Sequence, residues 1–269
     1  MSRRPKDVDV KQSIKDIFLT RNAYKLDDTY VIRDGKKHPF ALLCPGGGYA
    51  IVCSFIEGKP IARQLNEKGI SVFILYYRVK KKALYPAPMD DLARAVKEIF
   101  ARAAEYNIDT ANYSIWGASA GGHLAASFGT ENMGYPKYGL PRPGTLVLSY
   151  PVISMKRELT HMGSHDHLLG KKAGRDQELF TSVEQHITKD YPPAYIWCGE
   201  EDDVVSPENT TLMVHALTES GIPVEHDVFP GVGHGIGPGT GTSADGWIDK
   251  AVRFWFSRKQ EDTGNRKKQ

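Results

Sequence analysis

The strongest constraint on the fold is an alternation of apolar segments with amphipathic ones. Six apolar runs are predicted strands, at residues 40–44, 70–77, 112–116, 144–150, 194–199 and 223–229. Predicted helices separate most of them, at about residues 55–68, 89–105, 120–129, 207–220 and 244–257. Because the strands are apolar throughout rather than alternating, helices should cover both faces of the sheet. The pattern predicts an α/β fold with a doubly wound, mostly parallel sheet.

A serine between two glycines follows the third predicted strand. Residues 117–121 read Gly-Ala-Ser-Ala-Gly, and a predicted helix begins there. This pattern between a strand and a helix is typical of a nucleophile elbow, a turn too sharp for bulky flanking side chains. The helix N-terminus behind it can stabilise a developing anion. Small residues also gather where helices pack closely on strands, but this setting favours Ser119 as a nucleophile.

A triple glycine follows the first predicted strand, at residues 46–48. Such a run can turn backbone N–H groups toward one point, as an oxyanion hole requires. Taken alone, it would more often be a flexible turn. Together with the elbow, it predicts an oxyanion hole formed by the backbone N–H groups of Ala120 and of Gly47 or Gly48.

Candidate acids and a candidate base follow the last two predicted strands. Asp202 and Asp203 come after residues 194–199, and His234 lies in a glycine-rich loop after residues 223–229. Consecutive residues of an extended segment point in different directions, so at most one acid can meet the imidazole. The order serine, acid, histidine is that of α/β-hydrolase triads, and it differs from the orders in chymotrypsin and subtilisin. The residues alone leave both acids open.

One connection breaks the alternation. Residues 151–193 have weak periodicity and are far longer than a usual loop, so we predict a cap insertion there. Within it, residues 161–167 hold His161, His165 and His167 beside an aspartate. No helical i, i+4 register or HExxH frame orders these histidines, so we expect cap or substrate contacts rather than a metal site. His123, on the helix after Ser119, is expected to be a hydrogen-bonded structural residue.

Composition excludes several classes of partner. The net charge of +3 over 269 residues is too small to predict nucleic-acid binding. The longest strongly apolar run, residues 70–77, is far shorter than the ~18 residues of a membrane span, and no apolar signal segment follows the N-terminus. Three scattered cysteines do not predict a disulfide framework and are typical of a reducing cytosol. We therefore expect a cytoplasmic protein without membrane contacts.

The length is compatible with one domain. Chains of 269 residues with an α/β pattern commonly form a single domain, and no repeat or clear linker interrupts residues 30–256. We predict one domain over residues 1–269, with an N-terminal extension at 1–30 and a disordered tail at 258–269. A homo-oligomer is compatible with these features.

Taken together, the motifs resemble the α/β-hydrolase superfamily, and within it the acetyl xylan esterase-like, xylanase-associated carbohydrate esterases. The resemblance rests on residues 44–49, 77–78, 85–90, 117–125, 149–153, 163–164, 168–170, 199–202 and 230–235. It covers nearly all of residues 35–256. The lipase-type motif begins His-Gly-Gly-Gly, whereas Pro45 stands at the first position here. The backbone donors do not depend on that histidine.

The resemblance implies a serine carboxylesterase with no metal or organic cofactor. The family frame G-x-x-D-x-x-V fits Gly199, Asp202 and Val205, and thus selects Asp202 over Asp203 as the third member of the triad.

The implied substrates are small molecules or oligosaccharides with short acyl esters, above all acetyl groups on xylan-derived sugars. Tyr49, beside the oxyanion loop, would stack on a sugar or else pack in the core. Alternatives are a peptidase or formamidase on the same scaffold, and a non-catalytic binding protein of this fold.

Overall fold

One sheet of seven strands organises the chain, in a computed structural model that describes residues 23–266 and the side chains up to residue 258. The strands are β1 (Lys25–Tyr30), β2 (His38–Cys44), β3 (Ser71–Tyr76), β4 (Ile108–Ala118), β5 (Thr145–Ser149), β6 (Ala194–Gly199) and β7 (Val224–Phe229). Their order is β1-β3-β2-β4-β5-β6-β7. Strands β2 to β7 pair in parallel, and β1 is antiparallel to β3. The predicted mostly parallel sheet is confirmed.

Helices connect the strands and cover the sheet. In the described part of the chain they are α1 (Lys59–Glu67), α2 (Ala87–Ala101), α3 (Ala103–Tyr106), α4 (Ser119–Phe128), α5 (Met162–Leu168), α6 (Arg175–Thr181), α7 (Glu208–Glu219) and α8 (Trp247–Arg266). A π-helical turn at Ser54–Gly58 leads into α1, and 3-10 turns lie at Lys80–Lys82 and Val183–Gln185. Over residues 23–266, no helix has the length and apolarity to cross a membrane.

Two hydrophobic cores lie on opposite faces of the sheet. In β2, Leu42 packs into one core, whereas Ala41 and Leu43 pack into the other. Helix α2 brings Leu92 to the first core, and α8 brings Trp255 to the second. Full burial of a leucine such as Leu42 contributes about 1.5–3 kcal/mol relative to exposure. Because both faces are covered, successive strand positions are apolar, which explains the runs without alternation.

The ends of the described chain differ from the prediction. Strand β1 lies inside the predicted extension at 1–30. Its residues are mostly polar and partly exposed, as suits an edge strand, so they form no apolar run. Helix α8 continues to Arg266 and so overlaps the predicted tail at 258–269. That segment contains no proline, which is compatible with the helix continuing through it. The rest of the predicted extension and tail, residues 1–22 and 267–269, lies outside the described residues.

The cap insertion between β5 and β6 contains two short helices that sequence periodicity did not predict, α5 and α6. The buried carboxylate of Glu178 links parts of this cap through two ion pairs. It lies 2.9 Å from the guanidinium of Arg157 and 3.4 Å from the guanidinium of Arg175. The carbonyl of Thr181 accepts a hydrogen bond of 2.8 Å from Nε2 of His123 on α4. The cap is thereby anchored to the helix that follows Ser119.

Candidate active site

Ser119 stands at a sharp turn between β4 and α4, with φ at +53°. A Cβ atom on Gly117 would lie 2.2 Å from the carbonyl oxygen of Gly121. A Cβ on Gly121 would lie 2.0 Å from the carbonyl oxygen of Cys44. Neither position can therefore hold a side chain without backbone movement. The turn keeps Ser119 in a left-handed conformation that few non-glycine residues adopt.

Three side chains from different loops form one hydrogen-bonded chain. Oγ of Ser119 lies 2.8 Å from Nε2 of His234. Nδ1 of His234 lies 2.7 Å from Oδ2 of Asp202. Because a carboxylate only accepts, Nδ1 carries the proton and Nε2 is free to accept the hydroxyl proton of Ser119. The arrangement can thus activate the serine as a nucleophile.

The structure distinguishes the two candidate acids by position. Asp202 is buried, and its Oδ1 accepts backbone N–H bonds from Val204 at 3.0 Å and Val205 at 2.9 Å. These bonds fix the carboxylate, which leaves Oδ2 directed at His234. Asp203 is exposed and makes no hydrogen bond to the imidazole. Asp202 is therefore the acid that meets the histidine.

The glycine loop after β2 passes directly beside Ser119. A Cβ on Gly46 would lie 2.8 Å from Cβ of Ser119. Gly47 and Gly48 have φ values of +122° and +63°, which favour glycine. Within residues 23–266, the backbone N–H groups of Gly47 and Gly48 have no hydrogen-bond acceptor. The N–H of Ala120 lies in the first turn of α4, where helical N–H groups also lack intrahelical partners.

Sequence reasoning missed a buried carboxylate that connects this loop to the histidine loop. Oε2 of Glu57 accepts from the N–H of Gly46 at 2.7 Å, and Oε1 accepts from the hydroxyl of Tyr150 at 3.0 Å. The Tyr150 hydroxyl in turn accepts from the N–H of Gly237 at 3.1 Å. The Tyr150 ring lies 4.8 Å from that of His234, edge to face. Burial raises the pKa of Glu57. In the sequence, the one signal that could have revealed this link is that Glu57 is an acidic residue among apolar ones at the start of a predicted helix.

Tyr49 does not line the site. Its side chain is fully buried, and its hydroxyl bonds Nδ1 of His123 at 2.8 Å. Its ring packs against that of Tyr77 at 5.8 Å. The prediction of a substrate contact is therefore wrong, because no face of the ring is accessible to a sugar. Tyr49 packs in the core, which is the second of the two roles that the sequence allows for it.

His123 is the structural residue expected from the sequence. Its Nε2 donates to the carbonyl of Thr181, so Nδ1 must accept from the Tyr49 hydroxyl. Burial lowers the pKa of His123 to about 4, which keeps the ring neutral.

The three cap histidines have separate partners. His165 lies between Asp166 at 3.0 Å and Glu178 at 3.3 Å. Nδ1 of His167 bonds the carbonyl of Gly163 at 2.6 Å. His161 caps the N-terminus of α5. In the part of the chain that the structure describes, no three His, Cys, Asp or Glu residues are grouped as metal ligands. The histidines of the run at 161–167 therefore do not share one set of partners.

Comparisons with known proteins give consistent matches. The family described as BD-FAE matches residues 28–136. The crystal structure of an acetyl ester-xyloside bifunctional hydrolase from Caldicellulosiruptor lactoaceticus is 32% identical, with a TM-score of 0.77, over 85% of this chain and 86% of that one.

Two curated relatives match in sequence. Endo-1,4-beta-xylanase B of Butyrivibrio fibrisolvens is 37% identical over 81% of this chain. An acetylxylan esterase of Xylanibacter ruminicola is 30% identical over 73% of this chain. The matches span only 35% and 40% of those two relatives.

Proposed function

Because the chain belongs to the α/β-hydrolase superfamily, in its group of acetyl xylan esterase-like ester hydrolases, we propose that it is a serine carboxylesterase for short acyl esters. The observation that carries the proposal is the hydrogen-bonded chain from Ser119 through His234 to Asp202. The names of the relatives from Xylanibacter and Caldicellulosiruptor support acetyl groups on xylan-derived oligosaccharides as substrates.

The proposed mechanism transfers the acyl group twice. Oγ of Ser119 attacks the ester carbonyl as His234 takes its proton, and Asp202 stabilises the imidazolium. Backbone N–H groups of Ala120 and of Gly47 or Gly48 bind the oxyanion, and losing one such donor typically costs ~10²–10³ in rate.

Collapse of the tetrahedral intermediate breaks the bond to the alcohol oxygen. The alcohol leaves with the proton that His234 returns. Water then attacks the acyl-enzyme while His234 takes its proton, and the acid departs from a regenerated Ser119. Every step uses groups of the chain, the ester and water.

We also propose that this catalytic unit is one domain that acts on small esters in the cytoplasm. All seven strands join one sheet, and Cys44, Cys53 and Cys198 are free thiols, which is typical of a reducing compartment. The small net charge supports neither a nucleic-acid partner nor an anionic surface. A homo-oligomer is compatible with this proposal.

Two measurements on the wild type and Ser119→Ala test the function. A fluorophosphonate probe should label the wild type and fail on the variant. Acetylated xylo-oligosaccharides and aryl acetates should be cleaved by the wild type, with rates that fall for acyl chains of eight or more carbons. The matched control is Ser127→Ala, on the same helix, where the buried hydroxyl has no partner among the described residues.

Different results would point to the alternatives. Faster cleavage of acetamides or peptides than of esters would favour a formamidase or peptidase. Absence of labelling in a folded wild type would favour a binding protein of this fold. Preference for long acyl chains would reject the carbohydrate esterase assignment.

A further inference from the structure

The imidazole of His161 is held between two glycines, one in the oxyanion loop and one in the cap. A Cβ on Gly48 would lie 3.4 Å from Cε1 of His161, and a Cβ on Gly163 would lie 2.9 Å from the same atom. A Cβ on Gly163 would therefore press on the ring, whereas one on Gly48 would only reach van der Waals contact with it. The ring is half-buried.

The hydrogen bonds of His161 determine which ring nitrogen carries the proton. Nδ1 caps helix α5, where it accepts from the backbone N–H of Ser164 at 3.3 Å and lies 2.9 Å from the Ser164 hydroxyl. A backbone N–H can only donate, so Nδ1 is an acceptor and Nε2 carries the proton. Burial, followed by the nearby His234 and His167, lowers the pKa of His161, which favours the neutral ring.

This leaves one fixed donor without a protein partner. Across residues 23–266, Nε2 of His161 makes no hydrogen bond. The ring lies beside Gly48, whose N–H is a proposed oxyanion donor, since a Cβ there would be 3.4 Å from Cε1. A rigid N–H donor that is unpaired beside a catalytic site is available to bind substrate.

The other donors restrict what this N–H can bind. The proposed oxyanion hole is already formed by backbone N–H groups, those of Ala120 and of Gly47 or Gly48. The only oxygen of an acetyl group is its carbonyl oxygen, which becomes the oxyanion. The remaining oxygen atoms of an acetylated sugar belong to the alcohol half. On the basis of the proposed function, we propose that Nε2–H of His161 donates a hydrogen bond to a hydroxyl group of the sugar beside the scissile ester.

The test compares three substrates that differ in the alcohol. They are methyl 3-O-acetyl-β-xylopyranoside, the same ester without the hydroxyls at the neighbouring carbons, and phenyl acetate. The variant is His161→Asn, because asparagine can still accept from the Ser164 N–H as an N-cap but its amide is too short to replace Nε2. The exposed His215 on α7 supplies the matched control, His215→Asn.

The expected result is a selective loss. For His161→Asn, kcat/KM on the acetylated xyloside should fall about three- to tenfold, the usual effect of one hydrogen bond between neutral groups. The loss on phenyl acetate should be clearly smaller than the loss on the xyloside. The wild type should already cleave the deoxygenated ester slowly, and His161→Asn should not lower that rate further. His215→Asn should match the wild type on all three.

A second variant separates binding from helix stability. Gly163→Ala keeps His161 but displaces its ring, and it should show the same selective loss on the xyloside. Equal losses on phenyl acetate and the xyloside, or no loss on either, would overturn the role of His161. A wild type that cleaves phenyl acetate but neither sugar ester would instead reject the sugar substrate, and the role of His161 with it.

Discussion

The carboxylate of Glu57 accepts the backbone N–H of Gly46 at 2.7 Å, directly before the two glycines whose N–H groups are unpaired within the described chain. Through the hydroxyl of Tyr150, the same carboxylate is linked to Gly237 in the loop that carries His234. One buried side chain therefore joins the loop of the proposed oxyanion hole to the loop of the proposed base.

Glu57→Gln should keep the size of the side chain but break one of its two hydrogen bonds, because the amide nitrogen cannot accept from Gly46 or Tyr150. We expect kcat on phenyl acetate to fall about 10- to 100-fold, with a smaller change in KM, because small displacements of catalytic groups are costly. Steady-state kinetics on folded protein measures this. The control is Glu67→Gln, an exposed change in the following helix. Wild-type kcat in Glu57→Gln would show that the link does not position the two loops.

The buried His123 should make stability depend on pH. Its pKa is lowered by burial from 6.5 to about 4, so the unfolded state binds more protons between these values. The free energy of unfolding should therefore decrease as pH falls from 6.5 to 4, by about 3 kcal/mol from this residue. His123→Gln can keep both hydrogen bonds but cannot titrate, so it should lose less stability on acidification.

Urea unfolding between pH 7 and pH 4.5 measures the difference. The exposed His215→Gln serves as the control, and its stability should follow the wild type. Parallel stability curves for the wild type and His123→Gln would contradict the buried neutral histidine.

Most of the fold and three of the candidate site residues could be predicted because their signals are local. Apolar strands and glycine-rich turns place Ser119, Asp202 and His234 after parallel strands, and such strand ends meet at one edge. The Glu57–Tyr150 link joins residues 93 positions apart, and no local pattern encodes it. Likewise, Tyr49 is identified as a core residue only by its burial in the structure. The sequence around a single tyrosine beside a loop does not predict whether its ring is buried or exposed.

The elbow glycines should be essential for folding. Gly121→Ala would place a methyl group 2.0 Å from the carbonyl oxygen of Cys44, which is backbone and cannot rotate away. We expect a loss of about 3 kcal/mol or more in the free energy of unfolding. Gly174→Ala is the matched control, because nothing lies within 4 Å of its Cβ position and its φ is −87°. If Gly121→Ala and the wild type had the same urea midpoint, the steric argument would be refuted.

Asp202 and Asp203 should differ sharply in their effect on the rate. In Asp202→Asn, the amide oxygen can still accept from Val204 and Val205, which directs the amide nitrogen at Nδ1 of His234. Nδ1 must then accept, so the proton moves to Nε2, which can no longer take the proton of Ser119. This wrong tautomer typically costs ~10⁴ in turnover.

Asp203→Asn is the matched control, since Asp203 is exposed and makes no bond to the imidazole. Its turnover of phenyl acetate should stay close to that of the wild type. Circular dichroism should show that both variants are folded, and fluorophosphonate labelling of Ser119 should slow only in Asp202→Asn. If Asp203→Asn were the inactive variant instead, the acid would have to be reassigned. The loop after β6 would then need a different conformation during catalysis from the one seen here.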